Sequence, residues 1–69
     1  MTQEQIDNTF TYHAPNGDQL RRYREIREKA KEFAELLVKH CPESREKSLA
    51  LTNLQQGVMW ANASIAINE

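Results

Sequence analysis

The sequence predicts an all-α fold: an antiparallel two-helix hairpin with a short N-terminal helix and arm, assembled with its own copies into a homo-oligomeric helical bundle. Three observations predict it. Two long segments repeat apolar residues at steps of three and four, Pro42 stops the pattern between them, and the 69 residues offer no internal means of sealing a core.

Residues 1–17 form the short helix and arm. Thr2, with Gln5 three positions on, is a capping-box pattern, and Asp7-Asn8 suit a helix exit. Phe10-Thr11-Tyr12 favour extended backbone, and Pro15-Asn16-Gly17-Asp18 reads as a turn ending in an N-cap. The arm is too short to make a sheet and is expected to lie against the helices.

Residues 18–69 form the hairpin, and the whole chain is one domain. In segment 18–40, Tyr23, Ile26, Ala30, Phe33 and Leu37 fall on one face. Pro42 drives the residue before it out of helical geometry. Ser44 is a natural cap for segment 44–66, with Glu46 in the first turn, where the helix dipole favours an anion. Leu51, Leu54, Val58, Ala61 and Ile65 make its seam. A short turn between helices of similar length implies antiparallel packing.

The second helix has more apolar surface than one neighbour covers. Leu49, Trp60 and Ile67 lie on a second stripe with Asn53 and Gln56, and Met59 lies off both stripes. A second copy is the expected cover, since tryptophan is enriched at protein interfaces. Gly57 costs about 1 kcal/mol mid-helix relative to Ala. Its benefit is either close approach by a neighbouring backbone or none at all.

Composition narrows the function classes. One cysteine, Cys41, excludes an internal disulfide and fits a reducing compartment. His13, His40 and Cys41 do not make a metal cluster, and His40 and Cys41 are adjacent, so they diverge on a helix. Cys41 reads as an ordinary buried thiol. No stretch approaches a membrane span, and Met1–Gln5 lack the order of a signal peptide, so the expected location is the cytoplasm. No nucleophile with a positioned base is present, and the carboxylates of Glu25, Glu28, Glu32 and Glu35 lie among cations at ion-pair spacing. The chain is read as a non-enzyme that needs no cofactor.

The net charge of −1 disfavours duplex nucleic acid and anionic membrane as partners. Six of the nine basic residues nevertheless fall between Arg21 and Lys31. Arg24, Arg27 and Lys31 share one stripe, while Arg22 and Lys29 share the next. One reading is a solvated face balanced by glutamates. The other is a phosphate-binding strip beside an aromatic arm of Phe10, Tyr12 and His13, where a ring stacks on a base and cations hold phosphate. The residues alone leave both readings open, together with a hairpin adaptor or regulator that binds a protein or RNA partner.

Three segments carry a resemblance: Phe10-Thr11-Tyr12-His13 with Pro15, Ser44-Arg45-Glu46-Lys47-Ser48-Leu49-Ala50, and Val58-Met59-Trp60-Ala61-Asn62-Ala63-Ser64-Ile65-Ala66. In order and spacing they resemble the phage anti-CBASS cyclic-nucleotide sponges of the second type, whose hairpin domain is shared with an anti-Thoeris sponge. The resemblance spans Phe10 to Glu69. It implies hexamers built as trimers of dimers, which hold cyclic dinucleotides such as cyclic GMP-AMP between protomers without cleaving them. Some members also hold cyclic trinucleotides at a second site. The implied location is the cytoplasm of the infected bacterial host.

Carried over by residue, Tyr12 matches the family's base-stacking aromatic, with His13 beside it in the same motif. The phosphate-contacting lysine matches Lys29 best, with Arg27 or Lys31 as the other registers that the loop before Leu20 allows. Trp60 and Asn62 match the packing of the second helix, with the lining of a ligand site as the alternative for Asn62. The chain departs from the family pattern at Ile67, where relatives often carry a basic residue, and at Gly57, where they often carry Ala. The first departure puts a trinucleotide site in doubt.

Overall fold

A computed structural model describes residues 1–69 and contains three helices and no strand: α1 (Gln3–Thr9), α2 (Gln19–His40) and α3 (Arg45–Asn68). α2 and α3 pack side by side as the hairpin. No helix is long and apolar enough to cross a membrane.

Each helix start has a local cause. Thr2 and Gln5 form the reciprocal capping box on α1. Ser44 caps α3 by accepting from the Lys47 N–H at 3.1 Å. Asp18 occupies the cap position of α2 but makes no side-chain cap bond, because its carboxylate faces Arg21 and Arg22 instead. The preceding turn requires glycine, since Gly17 has φ +54°. At the corner, Cys41 turns extended ahead of Pro42 (φ −99°, ψ 132°) and is half-buried rather than enclosed. Lys47 is 9% exposed and reaches the Val38 carbonyl at 3.5 Å and the Glu43 carboxylate, which ties the start of α3 to the end of α2.

Three expectations are corrected. Phe10 is not extended: at φ −105° and ψ 17° it prolongs the last turn of α1, where its N–H reaches Ile6 and the Thr11 hydroxyl bonds the Asp7 carbonyl. The arm does not lay its aromatics against the helices, for Phe10 and Tyr12 are 80% and 84% exposed. Phe33 lines the groove between α2 and α3 with Leu54, Gly57 and Val58 but stays half-exposed, while Ala34 is half-buried. α3 also runs two residues past the expected end at 66.

No hydrophobic residue is buried in the isolated protomer. The Cα trace measures 45 × 28 × 12 Å, a single layer of helices with two open faces. Stable domains need two packed layers. The accessible surface is 5759 Å², about 1,300 Å² more than a compact monomer of this mass exposes. The radius of gyration is 15.3 Å, against about 11 Å for a compact chain of this length.

Candidate functional site

The arm that carries Tyr12 begins where α1 docks on α3. Asn8 Nδ2 donates to the Ile67 carbonyl at 2.8 Å, an acceptor in the last turn of α3 with no partner inside its own helix. His13 is half-buried, and its Nε2 lies 2.6 Å from the Asn8 carbonyl. That oxygen only accepts, so the ring carries its proton on Nε2. His13, Thr11 and Asn8 border a polar hollow with Thr2, Glu4, Gln5 and Asp7, where two carboxylates disfavour an anion. Tyr12 points away from it into solvent.

The basic residues of α2 divide by pairing. Arg21 bridges Asp18 and Glu25, Arg22 bridges Asp18 and Glu69, and Lys29 lies 3.4 Å from Glu32. Arg24, Arg27 and Lys31 form no ion pair. Helical spacing makes these three one unneutralised stripe, so the chain shows both a paired face and a free one.

The two candidate registers for the phosphate cation fall on opposite faces of the slab. Lys29 sits with Arg22 on the rim of a groove floored by Ile26, Phe33, Ala61 and Ile65, and Gly57 opens into it. Arg27 and Lys31 border a second groove with Gln55, Leu51 and Met59. Ala30, Leu54 and Val58 form the wall between the two. No hollow of one protomer contains Tyr12 together with Lys29 or Arg27. The open faces of the slab leave both grooves uncovered in the protomer.

Two further features belong to α3. Trp60 and Met59 are 74% and 62% exposed, side by side with Gln56 and Ala63. Asn62 Oδ1 is buried with no hydrogen-bond donor and lies beside Tyr23, Ala63 and Ala66. A buried carbonyl left unpaired is costly, and no donor within the protomer relieves it. The resemblance gave Asn62 either to the packing of the second helix or to a ligand site. Sequence reasoning missed Asn8, whose partner is 59 residues away and leaves no local signal.

A family model described as Acb2/Tad1, hairpin domain, matches residues 2–66, nearly the whole chain. No curated protein and no solved structure matches it.

Proposed function

The chain belongs to the Acb2/Tad1 hairpin-domain family, and from that premise we propose that it sequesters cyclic nucleotide signals without cleaving them, so that CBASS immunity in the infected bacterium is not triggered. The family match over residues 2–66 is the observation that carries this reading. The protein acts in the host cytoplasm on cyclic dinucleotides such as cyclic GMP-AMP.

Binding takes place in a homo-oligomer, a hexamer arranged as a trimer of dimers. The coreless single layer and the exposed Trp60 support self-association. Tyr12 stacks on a base from one protomer, with His13 beside it. The phosphates meet Lys29 or, in the alternative register, Arg27 on another protomer. The uncovered grooves that hold Lys29 and Arg27 give a second protomer room to bring its Tyr12 to either cation. The rigid macrocycle loses little freedom on binding, which favours affinity. A second site for cyclic trinucleotides is weakened by Ile67, an apolar residue where a cation would be useful.

Calorimetric titration with cyclic GMP-AMP, a linear mononucleotide and a short RNA tests the reading. Saturable binding of the cyclic compound alone is expected. Binding of RNA alone, or of none of the three, overturns it in favour of a hairpin regulator.

A further inference from the structure

We propose that Asn8 and His13 are positioning residues that hold the Tyr12 arm against the end of α3, an assignment that rests on the nucleotide-binding reading above. Asn8 bonds in two directions: the side-chain amide donates to the Ile67 carbonyl at 2.8 Å, and the backbone carbonyl accepts from His13 Nε2 at 2.6 Å. The first bond fixes α1 to the hairpin. The second folds the arm back onto α1, one residue beyond Tyr12.

A second anchor follows the arm. The Asn16 N–H donates to Gln19 Oε1 at 3.1 Å, and the Gln19 N–H returns to the Asn16 carbonyl at 3.0 Å. Gln19 is 4% exposed, the most enclosed residue of the chain. Tyr12 is therefore 84% exposed on a segment pinned at both ends. An exposed ring on a loose loop would be ordered at a conformational-entropy cost on binding, and tethering removes part of that cost beforehand.

The test uses the full chain with Asn8→Ala, the isosteric Asn8→Asp and His13→Ala, which removes the ring donor. Tyr12 backbone order is read from the ¹⁵N heteronuclear NOE without ligand, and affinity for cyclic GMP-AMP is read by calorimetry. All three variants should lower the Tyr12 NOE and weaken binding roughly two- to tenfold, the loss of one hydrogen bond, with helix content unchanged. Unchanged Tyr12 order in the Asn8 variants or in His13→Ala overturns the latch. Failure of the wild type to take up cyclic GMP-AMP instead overturns the nucleotide reading.

Discussion

Arg22 and Glu69 close the open end of the hairpin with two parallel hydrogen bonds, Nη1 to Oε2 at 2.9 Å and Nη2 to Oε1, across 47 residues of sequence. Asp18 joins from the N-terminus of α2 through Arg22 Nε at 3.1 Å. This bidentate pair holds the last residue after α3 against the first turns of α2, next to the Ile67 carbonyl that Asn8 engages.

The pair makes the closure acid-labile. The Arg22 guanidinium holds the Glu69 carboxyl below its ordinary value, and the Arg22 pKa is raised in return. A carboxyl depressed in the folded state contributes stability above its unfolded pKa of about 4.3, lost as the pH falls through the folded value. At fixed protein concentration, Glu69→Gln should therefore melt below wild type at neutral pH and converge with it as the pH falls through the depressed value of the folded carboxyl. Added salt should narrow the gap at neutral pH, since both groups are partly exposed. A gap independent of pH would assign the effect to packing.

Gly57 tests which surfaces a second copy covers. A Cβ built there meets nothing within 4 Å in the protomer. Gly57→Ala should raise the melting temperature through a gain of about 1 kcal/mol in helix propensity. A fall in melting temperature, with a smaller mass by light scattering, would show that a partner's backbone approaches this point.

Much of the fold was legible in residue spacing. Leu51, Leu54, Val58, Ala61 and Ile65 announced the α3 seam, and all five are half-buried as that periodicity requires. Spacing names a face but not how deeply it is covered: Phe33 lines the groove between the helices, yet about half of it stays exposed. Asp18 read as a cap because its own carboxylate competes between backbone N–H groups and nearby arginines, and sequence does not show which prevails. The Asn8–Ile67 and Arg22–Glu69 contacts were illegible for a different reason: they join groups whose proximity exists only once the hairpin has closed. At the candidate site, the aromatic arm and the cationic strip were readable, but not that Lys29 and Arg27 lie on opposite faces.

Trp60 reports on assembly, since it is the sole tryptophan and is 74% exposed in the protomer. Its fluorescence should be blue-shifted at micromolar concentration and move red on dilution. Trp60→Ala should shift the assembly toward smaller species in light scattering, at a cost of about 3–5 kcal/mol for a buried aromatic. Red-shifted emission and a monomer mass at all concentrations would contradict self-association.

Tyr12→Ala should weaken cyclic GMP-AMP binding by about 1–3 kcal/mol, the range for one base–aromatic stack, without dissociating the oligomer. Lys29→Ala and Arg27→Ala should differ, because the two cations occupy different grooves. The larger loss is expected at Lys29. Equal, small losses in calorimetry would move the phosphate site elsewhere on the protein.

Sequestration without turnover is tested most directly by mass balance. Increasing amounts of protein are mixed with cyclic GMP-AMP, free ligand is measured after ultrafiltration, and the protein is then denatured and the released nucleotide identified by mass. Free ligand should fall in proportion to protein to a fixed ratio, stay there on long incubation, and return entirely as the intact cycle. A linear dinucleotide that accumulates with time in the presence of clean protein would contradict the account and make the protein a phosphodiesterase.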